Sequence, residues 1–100
     1  MFRHTALFRW TTDTTADQIA TVTATLRALP AAIPELVRYH CGPDLGLSEG
    51  NFDYAVVADL ASEADYVTYR DHPAHVAALA EQVRPHLAER AAVQYELVES

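Results

Sequence analysis

Apolar and polar residues alternate from the second residue onward. Phe2, His4, Ala6, Phe8 and Trp10 fall on one side of the chain, and Arg3, Thr5, Leu7 and Arg9 on the other. A period of two predicts a strand over residues 2–10. His4 is the one polar group on its core-facing side. Thr15-Ala16-Asp17-Gln18 has the form of a capping box. Behind it Ile19, Val22, Leu26 and Leu29 recur at steps of three and four, which predicts a helix of roughly 15 residues ended by Pro30. Leu36 to Cys41 reads as a second strand, stopped by Gly42-Pro43. Asp44 to Asn51, with two Gly, Asp, Ser and Asn, reads as a loop. Phe52 to Leu60 is a third strand, with Phe52, Tyr54, Val56, Ala58 and Leu60 on one face and Asp53, Ala55, Val57 and Asp59 on the other.

Ser62-Glu63-Ala64-Asp65 is a second capping signal. Its helix is interrupted at Pro73, because the residue before a proline is pushed out of the α region. A proline suits the first turn of a helix, so a new helix is expected from Pro73 with His72 at its N-cap. Val76, Leu79, Ala80, Val83 and Leu87 continue the apolar stripe to an end or kink at Pro85. Ala91 to Val98 alternates again as the last strand. The order βαββαβ predicts an α+β, ferredoxin-like fold: a four-stranded antiparallel sheet with two helices on one face. The other face then carries Thr5, Leu7, Ala55, Val57, Ala92 and Val98 beside Arg9, Gln94 and Glu96. So many small and apolar groups on an uncovered face suggest a homodimer.

One hundred residues make a single domain over residues 1–100. The N-terminus carries Arg3, His4 and Arg9 in its apolar stretch and reads as structure, not as a signal peptide. No apolar run reaches the roughly 18 residues of a membrane span, and a cytoplasmic location is expected. Fourteen acidic residues against seven cationic ones, for a formal charge of −7, argue against a nucleic-acid partner. All seven cations are Arg, which excludes Schiff-base lysine chemistry and a P-loop. Three scattered Gly form no phosphate loop. Cys41 stands alone and is expected to be a small buried side chain. His40 and His86 read as surface residues, and Asp44, Glu49 and Asp53 as solvated charges.

The chemistry concentrates in Tyr69-Arg70-Asp71-His72-Pro73-Ala74-His75. His75 falls in the first turn of the helix that starts at Pro73, where the helix dipole disfavours imidazolium. A neutral imidazole is what a general base requires. Tyr69 precedes the break and could share a cavity with it. The plainer readings are a helix-capping His72, a packed His75, a hydrogen-bonded core His4 and a satisfied Tyr69 hydroxyl. Asp71, His72 and His75 flank a helix start and need not converge, so no metal site is expected.

Tyr69, His72-Pro73 and His75, with His4 on the first strand, resemble the stress-responsive A/B barrel family, also called dimeric α/β-barrel domains, over about residues 2–97. The resemblance implies homodimers of ferredoxin-like subunits whose sheets join into a barrel. One member, olivetolic acid cyclase, folds a polyketide thioester by intramolecular aldol condensation without a cofactor. By that likeness His75 is the general base, Tyr69 orients or polarises the substrate carbonyl, and His4 matches a pocket His near them; His4 and His72 are expected among the substrate-binding residues. Ala6 and Phe8 on the first strand, and Val22, Thr23 and Leu26 on the first helix, would line the substrate pocket. They replace the aliphatic and aromatic residues of that cyclase, so the substrate differs. The leading expectation is a homodimer with a small apolar pocket and a cofactor-free cyclase, lyase or isomerase activity of polyketide type, using His and Tyr acid–base chemistry on a carbonyl compound. A non-catalytic ligand-binding or stress-response dimer is the alternative. A monooxygenase of the related dimeric α+β barrel superfamily is the third reading.

Overall fold

The computed structural model describes residues 1–98; Glu99 and Ser100, the end of the expected domain, lie outside the described residues. The elements are β1 (Phe2–Trp10), α1 (Ala16–Arg27), a single turn α2 (Leu29–Ala32), β2 (Leu36–Pro43), β3 (Tyr54–Leu60), α3 (Glu63–Asp71), α4 (Pro73–Ala78) and β4 (Leu87–Glu96). A π-helical turn at Leu79–Val83 and a tight 3-10 turn at Arg84–His86 join α4 to β4. The strands pair antiparallel in the order β2-β3-β1-β4. This is the expected ferredoxin-like sheet.

Local chemistry sets the helix ends. Thr15 accepts from the Gln18 N–H at 3.2 Å while the Gln18 side chain accepts from the Thr15 N–H at 2.9 Å, the full reciprocal box. Ser62 makes only its own half, accepting from the Asp65 N–H. α1 is shorter than the stripe predicts, because Pro30 has no N–H to extend the ladder; it restarts the chain as α2 instead. At His72 the backbone turns extended, with ψ 134°, and its ring nitrogen caps the Ala74 N–H at 3.1 Å. Pro85 likewise offers no N–H to the turn before it. The chain widens into the π turn, then tightens, and Leu87 enters β4 instead of ending a helix.

One core lies between the helices and one sheet face. Ala6, Phe8, Trp10, Tyr54, Val56, Ala58 and Leu60 meet Val22, Leu26, Leu29, Ile33, Tyr69, Ala78 and Val83 there. Val76, expected in the stripe, is exposed, because the break at His72 and the π turn rotate the face that the helix buries. Cys41 is half-buried against the core rather than fully buried. β3 begins at Tyr54, two residues later than predicted. Asp53 is drawn away, its carboxylate accepting from the Trp10 N–H at 2.8 Å; it is a structural group and not a solvated charge. Gly46 (φ +74°) and Gly50 (φ +81°) turn the loop before it through the left-handed region that glycine tolerates.

The register corrects the uncovered face. His4 pairs with Gln94 and Ala6 with Ala92, so Ala92, Gln94 and Glu96 share the helix side. Val98 lies beyond β4. The outer face instead carries Leu7, Thr5, Ala55, Val57, Ala91, Val93 and Tyr95. Both alternating sets of β4 contain apolar residues, so the pattern alone could not choose between them. On this outer face Asp59 is fully buried. It accepts from Arg3 Nε and Nη2 at 2.7 and 2.9 Å and from Arg38 Nε at 2.9 Å.

Candidate functional site

Between the sheet and the α3–α4 region lies a cavity of about 340 Å³. β1 contributes His4, Ala6 and Phe8 to its wall, α1 contributes Leu26, α3 contributes Tyr69, and α4 contributes His75. Strand alternation carries His4 inward, and the proline break turns Tyr69 and His75 toward it. The Tyr69 and His75 rings lie 4.3 Å apart, and Tyr69 and His4 6.3 Å apart. The three side chains singled out in the sequence therefore share one space. Val22, Thr23 and His72 do not join them. Val22 is buried in the core, the Thr23 hydroxyl bonds the Tyr54 hydroxyl at 2.8 Å, and the His72 ring is committed to its cap.

Hydrogen bonds fix the protons of both histidines. His75 Nδ1 lies 2.9 Å from the Arg70 carbonyl oxygen. A carbonyl only accepts, so Nδ1 carries the hydrogen and Nε2 of the neutral ring keeps its lone pair. His4 Nδ1 faces the Gln94 side-chain N–H₂ at 2.8 Å. That amide donates, so His4 carries its hydrogen on Nε2. Burial lowers the pKa of His75 below its ordinary value, against the raising effect of the Arg70 bond. Burial, then the Arg90 charge and His75, brings His4 down to about 4. Burial pushes the Tyr69 phenol up to about 12. At neutral pH the cavity therefore holds an imidazole acceptor, an imidazole donor and a protonated phenol.

Several wall residues were not singled out in the sequence. The Tyr66 ring lies tilted against both Phe2 and His4, with centroids 5.1 and 5.2 Å away. Tyr39 of β2 meets Tyr69 edge-on at 6.4 Å, and its buried hydroxyl has no well-formed hydrogen bond. Burial raises its pKa. Arg70, Arg84 and Arg90 complete the rim. Tyr39 alternates with Cys41 on the inner side of β2, a signal that could have found it; the Arg residues gave none, because the π turn and the β4 register bring them here. Among the described residues, no three His, Cys, Asp or Glu side chains gather where they could hold a metal ion. No helix is long and apolar enough to cross a membrane.

The likeness to known proteins follows the same fold. A solved dimeric ferredoxin-like protein of unknown function from Thermobifida fusca is 55% identical, with a TM-score of 0.89 over 96% of this chain and 90% of its own. A dimeric protein of unknown function from Bacteroides fragilis is 26% identical, with a TM-score of 0.83 over 96% and 95%. A hydroxynitrile lyase from Passiflora edulis superposes with a TM-score of 0.85 over 99% and 94%, but at 22% identity, which speaks for the fold alone. Among curated proteins none matches the chain. The model of the stress responsive A/B barrel domain matches residues 2–97, and the chain belongs to that family.

Proposed function

We propose that the cavity is a cofactor-independent acid–base site for a small apolar carbonyl compound, of cyclase, lyase or isomerase type. One observation carries the reading: the Arg70 carbonyl holds the proton of His75 on Nδ1 and so leaves Nε2 as a base. In this scheme Nε2 takes a proton from the carbon beside the carbonyl. The electron pair of that C–H bond moves into an enolate, and the imidazolium later returns the proton. The Tyr69 phenol, still protonated at neutral pH, donates to the oxygen where charge develops. Ala6, Phe8 and Leu26 offer apolar wall for the rest of the substrate. The same reading includes a homodimer joined through the outer sheet face. Its support is the exposure of Val93 and Tyr95, 55% and 44%, beside Leu7 and Val57, together with the dimeric state given for the Thermobifida and Bacteroides relatives.

The test is proton exchange into benzylacetone, a neutral apolar methyl ketone, followed by NMR in deuterated water. The protein should accelerate loss of the protons beside the carbonyl. His75→Ala should reduce that acceleration by about 10²–10⁴-fold while the circular dichroism stays native. Exchange no faster than in buffer would leave the cavity as a binding site without turnover, and acceleration unchanged in His75→Ala would remove His75 as the base.

A further inference from the structure

The chain has only seven cationic side chains, all Arg, against fourteen acidic ones. Three of the seven, Arg70, Arg84 and Arg90, stand on the wall of this one cavity. Among the described residues that line it there is no Asp or Glu. A surface with a twofold excess of acids would not place charges so by even scatter. Arg70 is already engaged, its guanidinium bonding Asp71 at 2.8 and 3.0 Å. Arg84 and Arg90 make no such pair among the described residues. They come from different elements, the tight turn after the π turn and the edge strand β4. Both are exposed, whereas His4, Tyr69 and His75 are buried. The two guanidinium groups therefore stand at the solvent end of a cavity whose base lies at its closed end. The charge of Arg90 reaches inward, where it lowers the pKa of His4, of His75 and of Tyr69.

We infer that the substrate of this site carries one anionic group, a carboxylate or a phosphate, held at the cavity mouth by Arg84 and Arg90 with its carbonyl toward His75. The inference rests on the proposed function for the direction of the carbonyl, but anion binding itself does not need turnover. A guanidinium presents its donors as a planar fork that matches either group. At about 340 Å³ the cavity is near the small end of ligand pockets, typically about 300–1,000 Å³, so the apolar body must be compact.

The experiment compares binding of β-benzoylpropionate, its neutral methyl ester and phenyl phosphate, by calorimetry at low and moderate salt. At least one anion should bind tenfold or more tightly than the ester, and added salt should erode that preference. Which anion wins decides between carboxylate and phosphate. Arg84→Gln and Arg90→Gln should each reduce the preference, and the double variant should abolish it with ester affinity unchanged. Arg27→Gln, away from this cavity, should preserve it. The preference should also survive in His75→Ala, so proton exchange left unchanged in that variant would count against the catalytic reading only. Equal affinity for acid, phosphate and ester, or a preference intact in the double variant, overturns the inference even if proton exchange is catalysed.

Discussion

Replacing Asp59 with Asn should destabilise the fold by about 2–3 kcal/mol at neutral pH and do so in a pH-dependent way. The carboxylate is fully buried on the outer sheet face between two guanidinium groups. The Arg3 hydrogen bonds first, and those from Arg38 with them, draw its pKa from 3.8 to about 2 against the opposing effect of burial. A displacement of that size corresponds to about 2 kcal/mol of differential stabilisation. Water reaches the partners, whose side chains are 27% and 44% exposed for Arg3 and Arg38, and screening reduces this to about 1–2 kcal/mol. Asn keeps the shape, but it replaces one accepting oxygen with a donor that faces two cations. The lost charge-assisted bonds and that repulsion supply the remainder. The sign follows from the direction of the shift. A depressed carboxylate pKa stabilises the fold above the unfolded value near 3.8, and the benefit disappears as pH falls through about 2. Urea unfolding of both proteins at fixed protein concentration should thus show a gap that is full at pH 7 and small near pH 2. In thermal terms it amounts to roughly 8–24 °C for a chain of this size. A gap below about 0.5 kcal/mol at pH 7, or one that does not shrink on acidification, would refute the account of this cluster.

Other expectations follow from the site and the sheet. Tyr69→Phe should slow the exchange reaction less than His75→Ala does, because it removes one hydrogen bond to a developing charge; NMR in deuterated water checks the ranking. The exchange rate should stay level as pH falls from 8 past 6.5, the ordinary histidine value, and decline only below it, because burial lowers the His75 pKa; a decline centred above 6.5 contradicts that placement. Light scattering should give twice the 11.0 kDa chain mass at micromolar concentration, and a stable monomer would end the homodimer reading. Cys41→Ser should preserve exchange and lower stability by no more than about 1 kcal/mol, since the thiol is half-buried and outside the cavity wall; loss of exchange in a folded variant would reveal a thiol role.

Much of the fold is local and was legible as such. The alternation of β1, the Thr15 capping box and the turn forced at His72-Pro73 each depend on neighbouring residues and backbone sterics. They appear in the structure as the pattern implies. The inward turn of His4 follows from the period of a strand, and the place of His75 follows from a proline that must begin a helix. Non-local pairing decided the rest. Whether Ala92 and Gln94 or Val93 and Tyr95 face the helices depends on register, and a shift of one residue exchanges them. The chain enters β4 at Leu87 through a π turn that no hydrophobic period announces, and this brings Arg84 and Arg90 to the cavity mouth. Asp59 looked like any outward strand charge. It is buried because Arg3 and Arg38 come from neighbouring strands that only the sheet order sets beside it. Val22 and Thr23 lie on the right helix but miss the cavity, since the direction of a helix face is settled by what it packs against. Sequence spacing specifies which face of an element is apolar; the partners that face meets, and so the protonation and charge of the site, arise only when distant strands and turns are brought together.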